Sequence, residues 1–396
     1  MIGKRVTAAF VALMVAWAWI GGKARGDDVQ VTASLALGGK YDNGESNSVA
    51  VAPGLSFTRR TEIQDLRLSA VLSGVRYADG QEKVDQSYQG DWSYRLTPRL
   101  QVQANGSYIT YSDPQQNVPQ TGQFLTKATR VSERYGATTT YSLSEISSVS
   151  LAGSVDRENS NAAGATDVDA KNVSVGYLRD LGDYLSSTTG GVNLGYGHYR
   201  FSNSEVDNLW LTVGGGRSFT ERLKLEASLG VRQTRTQYQQ LEQRIVVLPP
   251  FAFLVTEEKE KRSTEWGGVG SLALTYSGVD YTGGLTFSRD LQISADNGVT
   301  DRTSLVLNLS HRFTWELTGS FDAGYYENKS QQGQTVNGTL DERTLRAACG
   351  LTYALSQHTS LEAGGSLARV EYRNGGGSEN RAVLTLTLRF SYPVIE

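Results

Sequence analysis

The chain has 396 residues, 38 Lys and Arg against 41 Asp and Glu, a formal net charge of −3 and a single cysteine. That balance offers no basic footprint for nucleic acid, and a lone thiol excludes an internal disulfide scaffold and a cysteine-based metal site. With 43 Gly and 20 Tyr but 7 Pro and 2 Met, the composition is polar on average yet rich in strand formers and turn residues.

Residues 1–26 read as a cleaved signal peptide. Lys4 and Arg5 precede the apolar run Val6 to Ile20, and Ala24-Arg25-Gly26 sets small residues where a signal peptidase cuts. Cleavage is expected before Asp27, leaving 27–396 as one domain. Loss of the four cations Lys4, Arg5, Lys23 and Arg25 takes the formal charge from −3 to −7. No later apolar run approaches the length of a membrane-spanning helix.

From Val29 onward apolar residues recur at every second position, the signature of half-buried strands. Val29, Val31, Ala33, Leu35 and Leu37 form one row, and Val49, Val51, Pro53, Leu55 and Phe57 form the next, with Asn43-Gly44 as the turn signal between them. Leu66 to Leu72, Tyr88 to Tyr94 and Leu100 to Tyr108 continue the pattern. Further strands are predicted near Arg130 to Leu143, Ser147 to Glu158, Val168 to Arg179, Ser186 to Phe201, Val206 to Ser218 and Arg222 to Gln237. Those at Thr264 to Tyr276, Val279 to Leu291, Thr303 to Trp315, Leu317 to Asn328, Leu340 to Leu355 and Ser360 to Arg373 lead to the last, Arg381 to Tyr392. There Leu384, Leu386, Leu388, Phe390 and Tyr392 alternate with Thr385, Thr387, Arg389 and Ser391. The total is about 18 strands, held to within two.

Two classes of connection alternate. Thr97-Pro98, Glu145-Ile146, Gly182-Asp183, Thr220-Glu221, Gly278 and Gln357-His358 are short, whereas Ser112 to Lys127, Asn159 to Asp167, Gln239 to Arg262 and Lys329 to Gly338 are long and polar. This asymmetry predicts an all-β fold: a transmembrane antiparallel up-and-down β-barrel with short periplasmic turns and longer extracellular loops. A soluble sandwich with an edge strand at the C-terminus is the competing architecture, and strict alternation does not separate the two.

A charge on the lipid face of a barrel costs roughly 2 to 4 kcal/mol at the midplane, enough to fix which row of a strand faces in. That criterion turns Lys40, Arg67, Arg95, Arg134, Lys224, Arg232, Arg312, Arg346 and Arg389 toward the lumen as channel-lining residues. Asp91, Asp156, Glu226, Asp290 and Asp322 join them, while Cys349 faces lipid, where an apolar setting leaves a thiol inert. The inner charges either pair across strands in a wet lumen or form an anion-favouring path, since rings of Arg or Lys select anions. Trp92 and Trp315 sit where an interfacial girdle would place them, and Trp210 has the wrong parity for lipid. The Leu241 to Lys261 loop, with Ile245 to Leu248 and Phe251 to Val255 flanking Pro249-Pro250, is either a hairpin extending the wall, or an apolar patch that marks a partner surface or a segment folded into the lumen.

Nothing predicts an enzyme. Of His198, His311 and His358, only His198 has a nearby hydroxyl and amide, Ser202 and Asn203, and no nucleophile-and-base motif surrounds it. No phosphate loop, metal-ligand cluster or haem-attachment motif is present, so no cofactor is expected.

The C-terminal aromatic pair Phe390 and Tyr392 resembles the closing strand of Gram-negative outer-membrane barrels. The stretches VTASLALGGKYDNGES, VAPGLSF and YRLTPRLQVQANGSYITYSDP resemble the β-barrel porins encoded with exopolysaccharide loci of the PEP-CTERM type. This resemblance implies an outer-membrane location, lipopolysaccharide and the barrel assembly machinery as surroundings, and a periplasmic polysaccharide export protein as partner. Three functions stay open: a polysaccharide export porin, a general diffusion porin, and a structural barrel sheathing a partner such as an electron-transfer cytochrome.

Overall fold

Strands that bury one face only are satisfied in a single sheet if that sheet closes on itself, because closure removes both edges. The computed structural model describes residues 28–395 apart from 45–46, 114–121, 124–127, 163–164, 166, 203, 249–250, 295–297, 331–340 and 374–376. The side chains of 240–258 and 294–298 also lie outside the described set, as does the signal-peptide expectation for 1–26.

Eighteen strands follow in chain order. The first six are β1 (Asp28–Asp42), β2 (Ser48–Arg60), β3 (Gln64–Tyr77), β4 (Glu82–Thr97), β5 (Leu100–Tyr111) and β6 (Arg130–Ser144). Next come β7 (Ser147–Ser160), β8 (Val168–Asp180), β9 (Thr188–Arg200), β10 (Ser204–Ser218), β11 (Leu223–Leu248) and β12 (Phe251–Ser277). The last are β13 (Tyr281–Ser294), β14 (Gly298–Arg312), β15 (Leu317–Ser330), β16 (Asp341–Ser356), β17 (Thr359–Tyr372) and β18 (Gly377–Ile395). Each pairs antiparallel with its chain neighbours, and β18 returns to β1 through Leu35–Phe390, Leu37–Leu388 and Gly39–Leu386, which closes the ring.

Directly opposed residues in a ladder share a face, so one register fixes the next. The row Leu384, Leu386, Leu388 meets Gly365, Ala363 and Leu361 on β17, which meet Cys349, Leu351 and Tyr353 on β16. Leu384 and Leu386 remain 59% and 55% exposed. A band of bare Leu, Val, Phe and Tyr running round the ring suits hydrocarbon, not water.

The short connections share a local device. Thr61, Thr97, Thr220 and Thr314 each accept, through Oγ1, the backbone N–H three residues on, at 2.9 to 3.0 Å. These hydroxyl turns cap the outgoing strand and restart the next one.

Two features break the regular cylinder at the other end. The Leu241 to Lys261 segment is no loop: its backbone continues the β11–β12 ladder without a shift to Leu248–Phe251. Among the described residues, β12 pairs with β13 only between Gly270–Arg289 and Ser277–Thr282, although both strands run on. Leu291, Ile293 and Val299 belong by register to the outer row of β13 and β14. They nevertheless pack on Ala170, Tyr199 and Val206, which face inward on β8, β9 and β10. The far ends of β13 and β14 have therefore turned into the barrel, and burial of this apolar cluster, with Val206 and Val299 fully covered, holds them there.

Candidate functional site

The inside of the barrel is the one enclosed polar surface that the strands build together. By register, all nine cations singled out above lie in the row opposite the apolar one. Arg67 stands opposite Asp91, Arg134 opposite Asp156, and Arg346 opposite Gly324. Seven of the nine have a carboxylate within 4 Å: Lys40 with Asp113 (2.8 Å), Arg67 with Asp65 (2.9 Å), Arg134 with Asp156 (3.8 Å), Lys224 with Glu226 (2.5 Å), Arg232 with Asp301 (3.1 Å), Arg312 with Asp280 (3.1 Å) and Arg389 with Glu362 (2.9 Å). Among the described residues Arg95 and Arg346 have no such partner. Most of these nine are thus internally compensated, and Arg95 and Arg346 are not.

Two segments enter this space. The first is the β5–β6 connection. At its root Ser112 Oγ donates to Asp85 Oδ2 (3.2 Å) and sits 3.2 Å from Tyr77 Oη, while Asp113 reaches Lys40 on β1. Ten residues on, Thr344 Oγ1 donates to the carbonyl of Gly122, so the chain has arrived at the inner face of β16. Gly122 has φ +71, and a Cβ on it would collide with the ring and Cβ of Tyr326 on β15. No other residue type combines that conformation with that approach. Gln123 is buried beside it and reaches Glu342, which also accepts from Asn328 Nδ2 at 3.0 Å. Because β5 and β15 stand eight places apart by the shorter way round a ring of eighteen, Gly122 and Gln123 lie across the lumen from the strand they follow.

Glu342 lies in the part of β16 beyond the apolar belt, where the adjacent outer-row residues are Arg343, Glu327 and Glu371. Burial pushes its carboxyl up to about 7, against the opposing effect of its hydrogen bonds to Asn328 and Gln123.

The second segment is the inturned end of β13–β14. Arg232, on the inner wall of β11, is only 2% exposed, and it pairs with Asp301 at 3.1 Å and approaches Asp290 at 4.0 Å. Arg289 shares Asp301 at 3.0 Å. A buried guanidinium between two carboxylates locks the turned-in end to the wall.

Of the two readings of Leu241 to Lys261, the backbone follows the hairpin that extends the wall, a continuous ladder to Leu248–Phe251, and it is Gly122 and Gln123 that enter the lumen. An aperiodic polar connection carries no register, so nothing in it marked Gly122, Tyr326, Glu342 or Thr344 as partners. His198 lies in the outer row, its Nδ1 2.9 Å from Asp207 Oδ1, and Tyr196 Oη donates to the same oxygen at 2.5 Å. Cys349 is exposed in the apolar row opposite Phe321 and Gly365. Among the described residues no three His, Cys, Asp or Glu side chains converge on a metal-sized site.

No protein family matches the chain, and no curated protein matches it by sequence. Solved structures do match. The chain is similar to the ferric-catecholate import receptor Fiu of E. coli K12 in its open form, at 8% identity over 92% of this chain and 82% of that one, with a TM-score of 0.50. It is also similar to OccK2 of Pseudomonas aeruginosa in complex with glucuronate, at 12% identity over 93% and 99% of the two chains and a TM-score of 0.47. A third similarity is to OccAB4 of Acinetobacter baumannii, at 9% identity over 94% and 100%, with a TM-score of 0.46. The fold is a closed 18-strand antiparallel barrel of the outer-membrane type.

Proposed function

We propose that the protein is an outer-membrane channel with a barred lumen, and that it passes a secreted polysaccharide outward. Short turns face the periplasm and long connections the exterior, with lipopolysaccharide around the outer leaflet and a periplasmic export protein at the inner mouth. The observation that carries this reading is that Gly122 and Gln123 of the β5–β6 connection are seated on β15–β16. An 18-strand barrel is wide enough to hold water, and a docked segment turns an open cylinder into a restricted path. The polysaccharide is supported by the resemblance of the first two strands and of the β4–β5 hairpin to exopolysaccharide-locus porins.

General diffusion of small solutes is the second reading, and the same crossing connection favours it, since a segment across the lumen sets a size limit. A sheath around a threaded cytochrome is opposed by the contacts of Gly122 with Thr344 and Tyr326 on the inner wall. Deletion in the native host separates the two favoured readings. Export predicts that polymer is retained in the periplasm while small-solute uptake is unchanged. Normal secretion combined with slower uptake of small solutes would leave only the diffusion porin standing.

A further inference from the structure

Where β13 leaves β12 and turns inward, it encloses a chamber of about 450 Å³ against the inner wall of β8–β12. That volume lies within the roughly 300 to 1,000 Å³ of small-ligand sites. The lining is almost wholly uncharged and hydrogen-bonding: the amides Asn172, Asn193 and Asn208 and the hydroxyls Ser228 and Ser271 surround the indole of Trp210.

The indole is presented as a flat platform. Gly195 stands directly opposite Trp210 in the ladder, and a Cβ there would collide with the indole ring. The absence of a side chain lets the ring lie against the wall with its other face toward the chamber. Two of the amides are held by neighbours: Asn172 Oδ1 accepts from Tyr199 Oη at 2.9 Å, and Asn208 Oδ1 accepts from Thr234 Oγ1 at 3.2 Å. The third, Asn193, makes no hydrogen bond among the described residues and keeps a donor pair and an acceptor for a ligand. The charges at the rim are already engaged, Arg289 by Asp301 at 3.0 Å and Asp290 by Arg232 at 4.0 Å.

A flat aromatic face beside fixed amides and hydroxyls matches a pyranose ring, whose C–H face stacks and whose hydroxyls both donate and accept. It does not match an acyl chain, which would leave the amides unpaired, nor an anion, for which no uncommitted cation is in reach. We propose that this chamber is a binding subsite for a neutral sugar residue. The proposal rests on the polysaccharide-channel reading for its physiological meaning, but its chemistry stands on the chamber alone.

The test is isothermal titration of the purified full-length protein in detergent with maltohexaose and, separately, with an oligogalacturonate of equal length, alongside planar-bilayer conductance of the same preparation. The neutral oligomer should bind, and the acidic one should bind more weakly. Trp210→Ala and Gly195→Ala should each weaken maltohexaose roughly tenfold, and Asn193→Ala should weaken it less, all three variants keeping the gel mobility of the folded barrel. Preference for the oligogalacturonate, or undiminished binding by a folded Trp210→Ala, would overturn the subsite. A parent that conducts ions but binds no neutral oligomer sinks the subsite and leaves the channel. A parent that binds without conducting sinks the channel and leaves the subsite.

Discussion

At the residue scale, alternation tells which charges share the row opposite the apolar one, but not which residues they pair with. Arg134 had to face in, because the alternative row carries Tyr135 and Ala137. Its neighbour Asp156 became visible only through the pairing of β6 with β7, and Lys40 meets Asp113 across 73 residues. The pairing weakens the anion selectivity that nine free cations would give, and it ranks them. Arg346→Glu, which changes an uncompensated charge beside the docked segment, should move the reversal potential of the channel toward cations more than Arg134→Glu does. Equal shifts from the two variants would show that the pairs do not compensate. Gly122→Ala adds a Cβ where φ is positive and Tyr326 is in the way, at a cost of about 1 to 2 kcal/mol to the docked state from backbone strain alone, so mean conductance should rise. Glu342 gives the docking a pH dependence. Burial holds a proton on its carboxyl up to about 7 when docked, above the 4.5 of a free glutamate. The contribution to docking is therefore fully present below 4.5 and is lost as the pH rises through about 7. Conductance should be higher at about pH 8 than at about pH 5, and Glu342→Gln should flatten that difference, whereas an unchanged profile in the variant would remove Glu342 from the account.

At the element scale, strict period-two alternation placed all eighteen strands, because a polar residue in an apolar row or the reverse is costly along most of each ladder. It failed at the top of β11 and β12. Ile245 to Leu248 and Phe251 to Val255 are unbroken apolar runs rather than alternating ones, so alternation alone leaves a wall-extending hairpin and an inward loop equally open there, and the backbone takes the hairpin. It failed again at β13–β14, where alternation continues but the strand ends turn inside and swap the meaning of their two faces. Two variants separate these elements. Shortening the β11–β12 hairpin by removing 241–258 should leave the conductance of the folded channel within its normal spread, since the ladder below is complete. Arg232→Met removes the cation that holds Asp301 and Asp290, leaving two carboxylates without their buried partner. The β13–β14 end should loosen, visible as faster amide hydrogen exchange at 290–301 while exchange in β1–β7 stays unchanged. Slow exchange retained at 290–301 would mean that the apolar cluster around Val206 and Val299 suffices without the ion pair.

At the scale of the whole molecule, an even strand count brings the start of β1 and the end of β18 to the short-turn side, where Val31 pairs with Ile395. Every strand of the ring has a partner on both sides, so the barrel should resist detergent and migrate differently on gels before and after boiling; identical mobility would argue against closure. Closure, strand number and the two loop classes could be read from the sequence because each repeats round the ring. The barred lumen could not, since it depends on Gly122 and Gln123 meeting a wall eight strands away round the ring. That crossing is the central claim, and single-channel recording tests it most directly. The parent is compared in a planar bilayer with a variant whose β5–β6 connection between Asp113 and Ala128 is replaced by a short Gly-Ser turn. The crossing predicts a small parent conductance that increases severalfold in the variant, with the barrel still heat-modifiable. Equal conductance in parent and variant, from a barrel shown to be folded, would contradict it.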